Sequence, residues 1–378
     1  MKEIYFDNAA TTKTNIDVAK NAFEIMCGIT GNPSSLHKKG LNSQLLISDA
    51  RKRIANILDC KAEEVFFTSG GTEANNLAIL GGAEAMKRRG DNIVVSEFEH
   101  SSVIEPIKTL ENRGFTIKRI PPLEDGTLNA KAFVDAVDEK TILASCMFIN
   151  SETGAITDIA ELSKAIRAKN KTTLIHCDAV QAFGKITTSA RKLGVDLLTA
   201  SSHKIHAPIG CGLLYKRSGV RILPLLYGGG QEGKLRPGTE NIVMITAFGY
   251  AAMLAEQGMR QNMRHVKMLC EYFVKKAEKT KGVRINSPGN STPYIVNISV
   301  RGYRSETMLH FLESKGIYVS SGSACAKGAK SHVLTAMKLP ADIIDSALRI
   351  SFCAENTTEE IDEFFAALQD GMDRLVHR

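Results

Sequence analysis

The sequence predicts an α/β protein with a mainly parallel central sheet, because apolar runs of strand length alternate with helical segments from about residue 40 to residue 250. Helical periodicity over residues 41–58 is followed by an apolar run at residues 65–67, and a predicted helix over residues 73–89 leads into a second run at residues 92–95. The remaining strands are predicted at residues 116–120, 141–149, 173–177, 197–200 and 212–215. Together these runs predict a seven-stranded sheet.

The pattern after residue 250 indicates a smaller α+β unit. A helix over residues 245–279, expected to break near Gly258, precedes a helix at residues 305–315 and strands at residues 294–300, 317–320 and 347–352. The last helix opens with the capping pattern Thr357-x-x-Glu360 and places apolar residues at helical spacing. We therefore expect a large domain over residues 15–250 and a small domain formed by residues 1–14 and 251–378.

Composition and charge exclude several classes of protein. Of the 378 residues, 43% are hydrophobic and 24% are charged, which is typical of a soluble globular chain. Residues 1–12 lack the apolar core of a signal peptide, and no run approaches the roughly 18 apolar residues of a membrane span, so we expect a cytoplasmic protein. The formal net charge of +7 is modest, and direct binding of nucleic acid or membrane is not expected.

Cys325 differs from the other cysteines in its surroundings. The eight cysteines form no C-x-x-C pair and have no histidine at zinc-ligand spacing, so no metal site is expected. Cys146 and Cys177 lie in apolar runs that favour burial. Residues 320–332, in contrast, are small, polar and basic, which predicts a mobile loop around Cys325. Lys327, Lys330 and His332 would favour its nucleophilic thiolate.

Lys204 is the first candidate for covalent chemistry. It lies in residues 200–208, directly after a predicted buried strand, between hydroxyl and imidazole side chains such as Ser201 and His203. A lysine in that position could form a Schiff base while its neighbours bind a phosphate. An exposed loop lysine would fit this stretch equally well.

Three further segments bear on the same chemistry. Gly70-Gly71-Thr72 stands between a strand and a helix, where backbone N–H groups can approach an anion. Asp178 follows an apolar strand and could pair with a pyridine nitrogen, although a helix N-cap is a common alternative. Arg349 lies inside an apolar strand and needs an anionic partner, either a substrate carboxylate or a structural carboxylate.

Taken together, these segments resemble the class V aminotransferase-like cysteine desulfurases of the NifS/IscS type, which are pyridoxal 5'-phosphate enzymes of fold type I. The resemblance extends over essentially the whole chain, and its specificity lies in the order of many short matches. The matching segments are residues 5–12, 31–35, 68–76, 99–100, 178–181, 201–204, 236–241, 320–325 and 346–351.

The resemblance implies a role for each matching side chain. Lys204 would hold the cofactor covalently, Asp178 would pair with its pyridine nitrogen, and His100 would stack on its ring and help to move protons. Arg349 would bind the substrate carboxylate, with Asn8 beside the substrate. Gln181 would contact the ring oxygen. The phosphate would be bound by Gly71, Thr72, Ser201 and His203. Thr239 would reach the phosphate of a neighbouring subunit, which implies a homodimer.

One segment departs from the family pattern. The usual Asn-Asn-Glu-x-Gly reads Asn150-Ser151-Glu152-Thr153-Gly154 here, so the cofactor-facing asparagine aligns with Ser151, and Asn150 is the alternative contact. The small-residue context of Cys325 matches the long-loop group of the family. The implied reaction converts L-cysteine to L-alanine with a persulfide on Cys325, and an acceptor protein then takes the sulfur for iron–sulfur cluster assembly, tRNA thiolation or both.

Two rival functions remain open from the sequence. The first is another enzyme of the same fold, a selenocysteine lyase or a small-substrate transaminase, and a transaminase would need no cysteine in a loop. The second is a sulfur-relay or regulatory binding protein that has lost catalysis. The presence of Lys204, Asp178, His100 and Arg349 disfavours that second alternative.

Overall fold

The computed structural model describes residues 3–321 and 330–377. The helices in this part of the chain are α1 (Ile16–Gly28), α2 (Lys38–Leu58), α3 (Gly71–Asn76), α4 (Gly82–Met86), α5 (Ser101–Asn112), α6 (Ala130–Ala136), α7 (Ile159–Lys169), α8 (Ala190–Leu193), α9 (Ile242–Lys279), α10 (Ser305–Ser314), α11 (His332–Ala336), α12 (Ala341–Asp345) and α13 (Thr358–Arg374). The strands are β1 (Ile4–Tyr5), β2 (Val65–Thr68), β3 (Asn92–Ser96), β4 (Thr116–Ile120), β5 (Thr141–Met147), β6 (Leu174–Asp178), β7 (Leu197–Ser201), β8 (Gly212–Lys216), β9 (Val283–Ile285), β10 (Ile295–Val300), β11 (Ile317–Tyr318) and β12 (Ala347–Ser351).

The central sheet has seven strands in the order β2-β8-β7-β6-β5-β3-β4. Strands β4, β3, β5, β6 and β7 pair in parallel, whereas β8 pairs antiparallel with both β7 and β2. Every residue of β3, β5, β6 and β7 is buried, as expected for parallel strands covered by helices on both faces. The predicted α/β class with a mainly parallel sheet is therefore confirmed.

Two smaller sheets lie toward the C-terminal part of the chain. Strands β9, β10 and β12 form an antiparallel sheet in which β10 is central, and β1 pairs in parallel with β11. The N-terminal segment continues past β1 and bridges to β12 between Asp7 and Ser351. The first residues of the chain are thus held by strands near its end.

Helix α9 corrects one prediction. It runs without interruption over 38 residues, so the expected break at Gly258 is wrong. A single glycine costs only about 1 kcal/mol in a helix interior, and α9 packs closely on α2. A β-carbon at Gly249 would lie 2.6 Å from Ala50 of α2, which shows how near the two helices approach.

By length and composition α9 could also cross a membrane, and it is the one described helix that meets both conditions. However, its buried residues, which include Phe248, Ala251, Ala252 and Phe273, belong to the main hydrophobic core. With 33% of its most apolar stretch buried, α9 packs one face on the protein core. The predicted division into two domains stays a prediction, and its boundary at residues 250 and 251 falls inside α9.

A cluster of aromatic side chains fills the space between the small sheets and α13. It consists of Phe6, Phe273, Phe352, Phe364 and Phe365, whose ring centroids lie 4.9–6.1 Å apart in tilted or edge-on pairs. The predicted capping box at the start of α13 is confirmed, because Thr357 and Glu360 bond each other's backbone N–H groups. We call the five residues Phe6, Phe273, Phe352, Phe364 and Phe365 the phenylalanine cluster.

Candidate active site

A cavity of about 250 Å³ lies where β5, β6 and β7 end. Parallel strands bring their carboxyl ends to the same edge of the sheet, and open α/β sheets bind ligands there. The cavity is lined by Ala9, Ala10, Gly71, Thr72, His100, Ser102, Met147, Ser151, Asp178, Val180, Gln181, Ser201, His203, Lys204 and Arg349. Nearly all side chains that the sequence proposed for the cofactor therefore meet in one place.

Lys204 reaches the cavity from the single turn of 3-10 helix that follows β7. Its Nζ donates hydrogen bonds to the carbonyl oxygens of Ala9 at 2.6 Å and Ala10 at 2.7 Å. Burial, followed by the nearby charges of Lys185 and Arg349, lowers the pKa of Lys204 to about 7. An amine with such a pKa is substantially uncharged at neutral pH, and the uncharged form is the one that attacks a carbonyl carbon.

Asp178 lies at the end of β6 and is buried. Its Oδ1 accepts a hydrogen bond from the Val180 N–H at 2.9 Å, so the carboxylate caps a turn and not the helix considered from the sequence. Its Oδ2 accepts from Asn75 Nδ2 at 2.8 Å, and the residue lines the cavity. The carboxylate can therefore cap the turn and still present an oxygen to a ligand.

Asn75 is a residue that the sequence analysis did not single out. It is fully buried in α3, and its Oδ1 accepts from Thr199 Oγ1 at 2.6 Å while its Nδ2 also donates to Ser102 Oγ at 2.8 Å. These bonds fix the amide that holds Asp178. The signal was weak, since Asn75 lies inside the matching segment 68–76 but has no chemistry of its own to distinguish it.

His100 caps the start of α5, where its Nδ1 accepts from the Ser102 N–H at 3.1 Å. Burial lowers the pKa of His100, and the charges of Lys204, His332 and Arg349 act in the same direction against the opposing effect of Asp178. A neutral imidazole in the cavity wall can accept or pass on a proton near neutral pH.

The start of α3 offers the best anion site in the cavity. Gly71 and Thr72 line the cavity, and among the described residues no side chain caps the start of this helix. Gly70 can lie this close to β8 because residue 212 is glycine; a β-carbon there would come within 2.4 Å of the Gly70 carbonyl carbon. Ser201 and His203 complete the lining. Uncapped N–H groups and hydroxyl donors are the chemistry that a phosphate requires, so the donor set fits pyridoxal phosphate.

Ser151 and Asn150 can now be distinguished. Ser151 lines the cavity, whereas Asn150 does not. The Asn150 Oδ1 accepts from the N–H groups of Glu152 and Thr153, both at 2.9 Å, and its Nδ2 donates to the Phe98 carbonyl at 3.1 Å. Ser151 is therefore the better placed of the two, because the Asn150 amide is already bonded at its oxygen within its own turn and at its nitrogen to Phe98. The contact of either residue with the cofactor stays a prediction.

Arg349 has the structural carboxylate partner considered for it, while its role toward a substrate carboxylate stays a prediction. It is 3% exposed, and it donates to Asp7 Oδ1 at 2.8 Å and to the Ser151 carbonyl at 3.0 Å. It also lines the cavity, and its Nε has no hydrogen-bond partner among the described residues. The ion pair with Asp7 positions the guanidinium but leaves the Nε donor without a hydrogen-bond partner in the described part of the chain.

Two predicted residues do not line this cavity, and a third cannot be placed. Asn8 borders a second cavity behind Lys204, and its Nδ2 donates to the Ser351 carbonyl at 2.9 Å, so the structure does not support direct contact with a substrate in the first cavity. Thr239 is exposed and is not part of the first cavity. Cys325 lies outside the described residues.

The comparisons with known proteins agree with this geometry. The sequence pattern of the family described as aminotransferase class-V matches residues 4–364. A NifS/IcsS protein homolog from Lactobacillus delbrueckii subsp. bulgaricus is 41% identical, covering 97% of this chain and 96% of its own length. The cysteine desulfurase IscS of Dictyoglomus turgidum is 38% identical, covering 99% of this chain and 95% of its own length.

A solved structure described as a NifS-like protein superposes with a TM-score of 0.94 at 35% identity, covering 99% of this chain and all of the other. The fold, the cavity and the relatives lead to the same family. The chain belongs to the class-V aminotransferases and, within them, to the NifS/IscS-type cysteine desulfurases, which are pyridoxal-phosphate enzymes of fold type I.

Proposed function

We propose that this chain is a cysteine desulfurase that converts L-cysteine to L-alanine and keeps the sulfur as a persulfide on Cys325. The observation that carries the proposal is the meeting of a half-buried, weakly basic amine, Lys204, with a buried carboxylate, Asp178, and an incompletely satisfied guanidinium, Arg349, in one cavity. A relative at 38% identity bears the name cysteine desulfurase. The set matches the needs of an amino-acid substrate on pyridoxal phosphate.

Each residue of the cavity has a proposed task. Lys204 would hold the cofactor, Asp178 would face its pyridine nitrogen, Gln181 its ring oxygen and His100 the flat face of its ring. The phosphate would bind at the cavity residues Gly71, Thr72, Ser201 and His203. When bound, the cofactor supplies an electron sink for the carbanion that forms at the substrate α-carbon.

The protein's own groups bind the substrate and move the protons. Arg349 would hold the substrate carboxylate through a charge-assisted contact, with Ser151 beside it in the wall. The Lys204 amine and the neutral His100 imidazole would take the α-proton and return it, and the lowered pKa of each group supports that role.

The sulfur transfer balances without an added oxidant or reductant. The Cys325 thiolate would attack the substrate sulfur, a sulfur–sulfur bond would form, and the carbon–sulfur bond of the substrate would break with its electron pair left on carbon. Protonation of that carbon completes alanine, so cysteine and an enzyme thiol become alanine and an enzyme persulfide.

The two ends of the segment that carries Cys325 support this assignment. Before it, Ser320 exchanges backbone hydrogen bonds with Arg349 at 2.7 and 3.2 Å. After it, Ser331 Oγ donates to Glu152 Oε2 at 2.5 Å, and His332 Nε2 lies 2.8 Å from the carbonyl oxygen of Glu99, the residue before His100. Both ends are therefore fixed to residues in or next to the cavity wall, and Cys325 is only four residues from Ser321.

The acceptor and the assembly state form a second part of the proposal. We propose that an acceptor protein takes the persulfide sulfur for iron–sulfur cluster assembly, tRNA thiolation or both, and that the enzyme works in the cytoplasm. We also propose a homodimer in which Thr239 completes the phosphate site of the neighbouring subunit. Its exposure and its position outside its own cavity support that role.

Replacing Cys325 with serine tests the reaction. Cys325→Ser should bind the cofactor and cysteine normally, because those steps use Lys204, Asp178 and Arg349. It should lose alanine formation, since a hydroxyl cannot replace a thiolate in attack on sulfur. Alanine is assayed directly, and mass spectrometry of wild-type protein after brief exposure to cysteine should find one added sulfur on the Cys325 peptide.

The matched control is Cys27→Ser, since Cys27 is the exposed thiol of the described residues. It should retain full alanine production. Undiminished alanine formation by Cys325→Ser, or an added sulfur on another cysteine, would contradict the assignment. Transfer of the substrate amino group to a keto acid by Cys325→Ser would instead favour the transaminase alternative.

A further inference from the structure

Lys185 is a buried lysine for which the proposed reaction has no use. It lies four residues after Gln181 and borders a second cavity of about 250 Å³ behind Lys204. The residue is only 9% exposed, and its ammonium lies 5.5 Å from the centre of the Tyr294 ring. Within residues 3–321 and 330–377, no carboxylate lies within ion-pair distance of its Nζ. A buried ammonium without a counter-ion is costly, and an apolar side chain of equal length would be cheaper.

A short chain of hydrogen bonds joins Lys185 to the reacting amine. The Lys185 Nζ donates to Gln181 Oε1 at 3.2 Å. Because that oxygen is held, the Gln181 amide turns its Nε2 toward the Ala9 carbonyl, to which it donates at 2.9 Å. The same carbonyl accepts the 2.6 Å bond from Lys204 Nζ. The orientation of the Gln181 amide and the position of Lys204 therefore depend on one shared acceptor.

We propose that Lys185 is a positioning residue of the active site, which holds the Gln181 amide in the orientation that places Ala9 and Lys204 and sets a positive charge behind the reacting amine. The proposal rests on the assignment of Lys204 as the cofactor lysine. It adds a residue behind the cavity wall to the residues that line the cavity.

The charge of Lys185 also acts on Lys204, in addition to the hydrogen bonds that join the two residues. Burial lowers the pKa of Lys185 to about 8, so it is mainly charged at neutral pH, and its charge is the largest electrostatic contribution that lowers the pKa of Lys204. Removing that charge should therefore raise the pKa of a nitrogen at Lys204. The other titratable and charged groups that act on these two lysines or on the second cavity are Asp7, Asp178, His203, His206, Arg349, Cys353 and Glu355.

The first experiment titrates the visible spectrum of the holoenzyme with pH, which reports protonation of the nitrogen that joins Lys204 to the cofactor. In Lys185→Met the midpoint should rise by roughly 0.5–1 pH unit, because a nearby positive charge is gone. Lys185→Arg should titrate close to the wild type, since it restores both donor and charge. Lys185→Gln keeps a donor for Gln181 without the charge, so it should show the raised midpoint with better cofactor retention than Lys185→Met.

A second measurement does not depend on the proposed function. The cofactor-free full-length chain is labelled with acetic anhydride over a range of pH, and the labelling midpoint of the Lys204 peptide is read by mass spectrometry. Lys185→Met should again shift it upward. A protein that fails as a desulfurase can still show this shift, and a desulfurase can lack it, so the two proposals fail separately.

The control is Lys164→Met on the exposed face of α7, which should leave both midpoints unchanged. Coupling through the amide is tested by combining Lys185→Met with Gln181→Leu, where the effect of Lys185→Met on cofactor retention should shrink. The proposal is overturned if Lys185→Met titrates like Lys164→Met in both measurements, or if Lys185→Arg behaves like Lys185→Met.

Discussion

The candidate active site and the phenylalanine cluster are built by the same two pieces of chain but have opposite character. In the N-terminal segment Phe6 enters the cluster while its neighbour Asp7 pairs with Arg349. Near the other end, Arg349 lines the cavity while Phe352, just after β12, packs in the cluster. Alternation along an extended chain sends successive side chains to opposite faces, so the apolar cluster directly supports the cavity wall.

The two regions differ in how well their groups are satisfied. The cluster residues Phe6, Phe273, Phe352 and Phe364 are almost completely buried in apolar contacts. In the cavity, the pKa of Lys204 is lowered to about 7, that of His203 is lowered to about 4, and Arg349 Nε has no partner among the described residues. In the N-terminal segment and around β12, the side chains that stabilise the fold therefore lie on one face and the reactive side chains lie on the other. Substitutions should separate stability from reactivity.

The largest effect is expected for Lys204→Ala. Loss of the amine removes covalent attachment of the cofactor, so the absorption of the lysine-bound cofactor and the alanine-forming activity should disappear. The free energy of unfolding should change by less than about 2 kcal/mol, because only the hydrogen bonds to Ala9 and Ala10 are lost. Visible and far-ultraviolet spectra with denaturant titration check this. An unchanged visible spectrum would remove Lys204 from the proposed site.

Phe364→Ala should have the opposite pattern, a loss of stability with little loss of activity. Truncation of a fully buried ring should lower the free energy of unfolding by about 3–5 kcal/mol, with little change in activity per folded molecule. Tyr227→Ala is a suitable control, because Tyr227 is 86% exposed and its loss should cost less than about 0.5 kcal/mol. If Phe364→Ala lost activity while still fully folded at the assay temperature, the two faces would not be separable.

Arg349→Ala should have the smallest effect of the three substitutions. Arg349 belongs to the cavity but lies on β12, next to the phenylalanine cluster. We expect KM for cysteine to rise about tenfold to a hundredfold, equivalent to roughly 1.5–3 kcal/mol for one charge-assisted contact. The resting cofactor spectrum should be nearly unchanged. Asp7→Asn is the comparison, since it removes the ion pair but keeps the guanidinium. Equal destabilisation by both variants with normal KM would show that Arg349 is only a structural partner of Asp7.

Regular elements with a strong apolar signal were predictable from the sequence. Strand β4 matches its predicted range, and α2, β2 and the capping box of α13 were expected within a few residues. The break at Gly258 was wrong because helix propensity at one position is weaker than the packing of α9 on α2. Helix α1 was not predicted, because only its small apolar residues Val18 and Ala22 are buried, whereas the larger Ile16, Phe23 and Met26 are exposed and obscure the buried face in the sequence.

The site was predictable where a side chain carries its own chemistry and less so where it acts through others. Lys204, Asp178, His100 and Arg349 all line the cavity, as their residue types and neighbours suggested. Asn150, Asn75 and Lys185 could not be assigned in this way, because their roles depend on which way an amide or ammonium points inside the fold. Such orientations arise from contacts between segments far apart in the chain, and local sequence patterns do not contain them.

The dependence of the cavity on the N-terminal segment has a consequence for the order of events during synthesis. The carbonyls of Ala9 and Ala10, which position Lys204, belong to a segment held by β11 and by Ser351. While the ribosome is still adding those late residues, the first residues of the chain have no strand to join, and Lys204 has no fixed acceptors. The newborn chain can therefore assemble its large sheet early, but it gains a lysine set to capture a reactive aldehyde only after β11 and Ser351 have been made.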